Sequence, residues 1–149
     1  EARRNMMIAS TIGGMAFISS NVGAVHAFAE TVGAWFDTPH GVANSLFLPY
    51  IMEFNIPACP ERFADIADAM GIEREESMSD EQYALKAVEY VKALNRKLNI
   101  PTIKEIKGIT EERFEAIAER SANNVLSNDN ARKITKEDYL ELLKKAYNE

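Results

Sequence analysis

The chain has 149 residues, of which 46% are hydrophobic and 27% charged, and it carries a net charge of −6. That is the size and balance of one globular domain with a real core; the acidic surplus argues against nucleic acid or an anionic membrane as partner, because both need a basic face. The single cysteine, Cys59, excludes an internal disulfide and any cysteine-built metal centre.

The apolar stretches at 12–18 and 42–52 are too short to cross a bilayer, and the second contains Pro49. No basic tip followed by an apolar run marks a signal peptide, so a cytoplasmic location is the expectation.

In chain order, nearly every segment reads as helix and none as strand. A first helix is predicted over 1–20, where Met6, Ile8, Ile12, Met15 and Ala16 recur at helical spacing. The pattern is already helical at Glu1, which suits a piece of a larger protein. A second helix is predicted over 22–36, ended by Asp37-Thr38-Pro39, since proline disfavours a helical residue before it. A third runs from His40 to about Phe54 through Pro49. Cys59-Pro60-Glu61 opens a fourth, with Phe63, Ile66, Ala67 and Met70 as its apolar stripe and Gly71 as its C-cap. Ser79-Asp80-Glu81-Gln82 is a capping box, opening a helix that turns Tyr83, Ala87, Tyr90, Val91 and Leu94 inward. Thr110-Glu111-Glu112 starts another, with Phe114, Ile117 and Ala118 inward. Thr135 starts the last, with Tyr139, Leu142, Leu143 and Ala146 on one face. Seven amphipathic helices joined by short polar loops make an all-α bundle, a single domain over 1–149.

The chain has two histidines, His26 and His40, both in its most apolar third. His26 and Glu30 stand four apart on one helix, so their side chains point the same way. His40 follows Pro39 at the mouth of the next helix, where a short turn brings its imidazole back towards His26. Two convergent imidazoles beside a carboxylate suit a borderline divalent ion such as Fe²⁺ or Zn²⁺. The same residues also suit a hydrogen-bonded cluster without metal.

The stretches Gly14-Met15-Ala16-Phe17, Gly23-Ala24-Val25-His26-Ala27 and Pro39-His40-Gly41-Val42-Ala43-Asn44, completed by Leu48-Pro49, resemble the C-terminal signature of the iron-containing (group III) alcohol dehydrogenases. A looser likeness continues through Leu98-Asn99-Ile100-Pro101 and Asn130-Ala131-Arg132-Lys133-Ile134-Thr135 to the end of the chain.

The resemblance implies that this is the helical, metal-binding C-terminal domain of a dehydroquinate synthase-like fold. In that family an N-terminal α/β domain binds NAD or NADP. It implies that His26 and His40 are two of four metal ligands, the remaining aspartate and histidine lying upstream of residue 1 in the family. It implies Fe²⁺, or Zn²⁺, as a Lewis acid for hydride transfer between a small alcohol or aldehyde and the nicotinamide. Phe17 and Leu126 align with positions that border the substrate cavity, and relatives are commonly dimers or larger. Three departures stand out. Glu30 replaces a histidine often assigned to proton relay, and a glutamate serves there as relay or as a support for a ligand. Ser19-Ser20 replaces Asn-Ala. Ala131 replaces a proline, which is expected only to loosen a turn. The rival reading is a stand-alone helical interaction module that has lost catalysis.

Overall fold

Seven α-helices, four short 3-10 turns and no strand make up the computed structural model of the chain, which describes all of residues 1–149. The helices are α1 (Ala2–Ser20), α2 (Ala24–Phe36), α3 (His40–Asn55), α4 (Pro60–Ala69), α5 (Asp80–Lys97), α6 (Phe114–Ala122) and α7 (Lys136–Asn148). The all-α reading therefore holds, with the expected number of helices.

The local signals act as their chemistry dictates. Ser79 Oγ accepts from Gln82 N at 3.2 Å while Gln82 Oε1 accepts from Ser79 N at 3.0 Å, closing the box that opens α5. Thr135 and Asp138 do the same for α7. Pro60 stands at the first position of α4 and Gly71 follows its last turn with φ 73°.

Other expectations fail for tertiary reasons. The second helix begins at Ala24 rather than residue 22, because Gly23 is extended and pressed against Asn130. A Cβ at Gly23 would stand 3.0 Å from Asn130 Oδ1 and 3.2 Å from Asn130 Cα. Thr110 makes no side-chain cap, so the turn after it tightens to 3-10 over Glu111–Arg113 and α6 starts only at Phe114. On α5 the buried stripe is Tyr83, Ala84, Ala87, Val88 and Val91; Tyr90 and Leu94 are 49% and 40% exposed. That stripe leans towards α4, against which α5 packs most extensively, and Tyr90 and Leu94 fall beside it. Ile66 is likewise open on α4. The connection between α5 and α6 is no short polar loop, for it sends Ile103, Ile106 and Ile109 into the core.

The core has two parts joined by α3. The larger packs α2 against α3, α6, α7 and the isoleucines of the α5–α6 connection; the smaller packs α4 and α5 against Met52 and Ile56 at the end of α3. At the centre of the larger part the Phe28 and Phe47 rings stack 4.3 Å apart, and Tyr139 meets Phe28 edge-on at 4.6 Å. Ala24, Ala27 and Ala29 are fully buried on α2 and let its neighbours come close. Buried hydroxyls stitch the same region. Ser121 Oγ donates to Thr31 Oγ1, and Ser127 Oγ pairs with Tyr139 Oη at 2.7 Å. Burial pushes the Tyr139 phenol up to about 12, although its bond to Ser127 acts the other way.

The helix α1 is different. It buries no residue and meets α2 at a bend of 110°. Its apolar residues are spread round the helix rather than gathered on one face, with Met6 and Ile18 69% and 79% exposed. No single helix in the chain is long and apolar enough to cross a membrane.

Neither histidine belongs to the core clusters. The far-ultraviolet circular dichroism of the metal-free chain is therefore expected to be helical and unchanged by chelator. Truncating Phe28 to alanine removes two ring contacts and opens a cavity, and is expected to cost about 3–5 kcal/mol in urea denaturation. Tyr139→Phe loses one buried hydrogen bond and is expected to cost only about 1 kcal/mol.

Candidate metal centre

His26 lies in the first turn of α2 and His40 opens α3. From His26 to the end of α2 is about 15 Å at the α-helical rise, so a simple hairpin would leave the two imidazoles far apart. The connection 37–39 instead doubles back along α2. Asp37 takes a left-handed conformation, φ 50°, and the Thr38 carbonyl lies against Gly33, where a Cβ would stand 3.2 Å from it. With α3 returned in this way, and locked by the Phe28–Phe47 stack, the His26 and His40 rings come to 5.2 Å between centroids, tilted by 52°.

That spacing fits one shared ion. Metal–nitrogen bonds of about 2.1 Å put each ring centroid roughly 3.2 Å from the ion, and two rings at a tetrahedral angle are then about 5.2 Å apart. No group of three histidine, cysteine or carboxylate side chains converges anywhere in the chain. Within this chain the convergence is limited to the two imidazoles.

The electrostatics suit neutral donors. Burial holds the His26 imidazole below its ordinary 6.5, the neighbouring His40 charge pushes it the same way, and Glu30 opposes both. Glu30 itself makes no ion pair with His26. Its carboxylate accepts from Asn124 Nδ2 at 2.7 Å, and Asn124 Oδ1 accepts from Leu126 N at 3.0 Å. Glu30 is therefore tied through one amide to the turn that carries Leu126, whose side chain packs on the larger core. Phe17 lies on α1 and is 52% exposed.

Sequence reasoning passed over the asparagines. Asn44, one turn after His40, sends its Nδ2 to the His40 carbonyl at 2.9 Å and to His40 Nε2 at 3.0 Å. The spacing of four residues was the available signal. Asn130 is held on both ends of its amide: Oδ1 accepts from Asn55 Nδ2 and Ala24 N, and Nδ2 donates to Asn55 Oδ1 and the Arg132 carbonyl. These bonds pin the turn that precedes Ala131 and fix the start of the helix that carries His26.

A model of the Fe-containing alcohol dehydrogenase family, C-terminal part, matches residues 1–147. The chain belongs to the iron-containing alcohol dehydrogenase family. Among the family's members, lactaldehyde reductase of Escherichia coli (strain K12) is 37% identical over 147 residues, covering 99% of this chain and 38% of that protein. The 1,3-propanediol dehydrogenase of Citrobacter freundii shows the same identity and coverage. A crystal structure of 1,3-propanediol oxidoreductase superposes with a TM-score of 0.86 at 36% identity, over 93% of this chain and 36% of that one. The chain thus spans about two fifths of the length of these family members.

The unfolded chain binds a proton near pH 6.5 that the folded chain resists, so His26 stabilises the fold fully above that pH. This contribution is lost as pH falls through the folded value. An NMR titration is expected to place the His26 midpoint below 6.5, and His26→Gln to weaken the fall in thermal stability on acidification. A midpoint above 6.5 would show that Glu30 outweighs burial and His40 together.

Proposed function

We propose that this chain is the metal-binding part of an NAD(P)-dependent alcohol dehydrogenase that interconverts small alcohols with aldehydes or ketones. The observation that carries the reading is the 5.2 Å convergence of His26 and His40, two neutral donors spaced for one divalent ion in a chain of the iron-containing family. Fe²⁺, or Zn²⁺, suits imidazole donors. When bound, such an ion supplies Lewis acidity at the substrate oxygen.

The chain's own residues have distinct parts in this reading. His26, kept neutral chiefly by burial, donates a lone pair without adding negative charge. His40 does the same from the first residue of α3. Glu30, tethered to Asn124, handles a proton or steadies the donors from outside the ligand set. Leu126, held by the same asparagine, borders the substrate with Phe17. The exposed apolar surface of α1 supports placing this chain within a larger body, as the 38% share of its relatives does; a stand-alone module would leave that surface in water. Assembly as a homodimer or larger belongs to the same proposal.

Three full-length variants test the assignment. His26→Ala and His40→Ala are expected to lose both metal and activity. Glu30→Gln is expected to keep the metal within the roughly 10–100-fold range of groups that act through a ligand, while altering the pH dependence of turnover. Metal retained in His40→Ala but lost in Glu30→Gln would make His26 and Glu30 the ligand pair instead. The 149 residues alone hold neither a strand nor a glycine-rich phosphate loop, so the purified chain is expected to reduce no NAD(P)⁺. Alcohol-dependent reduction that survives further purification would refute this.

A further inference from the structure

We infer that Asn44 is a positioning residue for His40, fixing the ring's rotation and its tautomer so that Nε2 is the unprotonated nitrogen. One end of the Asn44 amide stands 2.9 Å from the His40 carbonyl oxygen and 3.0 Å from His40 Nε2. A carbonyl oxygen only accepts, so the facing group must be the NH₂; exchanging the amide's ends would press two acceptors together. The NH₂ has two hydrogens. One serves the carbonyl, and the other points to Nε2, which must then offer its lone pair. In the neutral ring the proton therefore sits on Nδ1, the reverse of the preference of a free histidine side chain.

The other end of the same amide supports this assignment. Asn44 Oδ1 is buried and has no hydrogen-bond partner, a cost that an apolar side chain of the same shape would not carry. What Asn44 contributes lies at its nitrogen, and that nitrogen touches only His40. The spacing of one helical turn on α3 sets the pair in register.

The consequence for metal rests on the proposed function, in which His40 is a ligand. A divalent ion binds only an unprotonated imidazole nitrogen. With Nε2 kept bare, binding there displaces a hydrogen bond and needs no change of tautomer.

The tautomer is read without metal, so its outcome is separate from whether His26 and His40 bind an ion, which the metal contents of their own variants decide. The experiment is a long-range ¹H–¹⁵N spectrum of the ¹⁵N-labelled chain with chelator at about pH 8.5, above the ordinary histidine range. With two histidines in the chain, His26→Gln assigns the signals. The expected result is a bare Nε2 and a protonated Nδ1 for His40. Asn44→Leu keeps the shape, favours helix and removes the unpaired oxygen, so its thermal stability is expected to equal or exceed that of the parent. Its His40 is expected to revert to mostly Nε2–H. A residue with a merely structural role would not move that ratio. Asn44→Asp, which offers only acceptors, is expected to give Nε2–H as well. Nε2–H in the parent, or an unchanged ratio in both variants, overturns the inference.

Discussion

The stack of Phe28 on Phe47 is the contact on which the candidate site depends. Each ring lies on the helix of one histidine, Phe28 two residues beyond His26 and Phe47 seven beyond His40. Their registration fixes the rotation of α2 against α3. The close packing rests on the fully buried alanines of α2, and Tyr139 closes the third side. The convergence of the imidazoles follows from this packing and from the doubled-back connection at Thr38. The site is preorganised by hydrophobic contacts that lie below it.

A second layer of amides then fixes the details. Asn130 ties the first residue of α2 to the end of α3, Asn124 ties Glu30 to the turn of Leu126, and Asn44 ties His40 to its own backbone. All three are uncharged, and Asn44 lies directly against an imidazole. Carboxylates in the same places would raise the histidines' proton affinity and compete for the ion. The one carboxylate present, Glu30, is held by an amide rather than by His26.

The bare apolar surface of α1 sets this domain apart from a self-contained bundle. A helix that buries none of its residues gains nothing from tertiary packing, which supplies most of the stability of helices in proteins. In relatives the region equivalent to this chain makes up 38% of the protein. Its core is built by α2–α7 and the connections between them, and α1 adds no buried residue to it.

The sequence by itself determined the class of the fold, most helix boundaries and the family. Capping boxes at Ser79 and Thr135 and the proline at position 60 are local chemistry, decided within four residues, and they hold in the structure. The signature around His26 and His40 is likewise local in each half. What lay beyond the sequence was everything set by contact between distant segments. Gly23 stops α2 short because Asn130 presses on it. Tyr90 and Leu94 face water because the packing of α5 settles the angle of its stripe. Ile103, Ile106 and Ile109 join the core from a stretch that shows no helical period. The 5.2 Å approach of the two imidazoles belongs to this second kind. Periodicity places each histidine on its helix, but only the crossing of α2 and α3, fixed by side-chain volume at Phe28, Phe47 and Tyr139, decides that they meet.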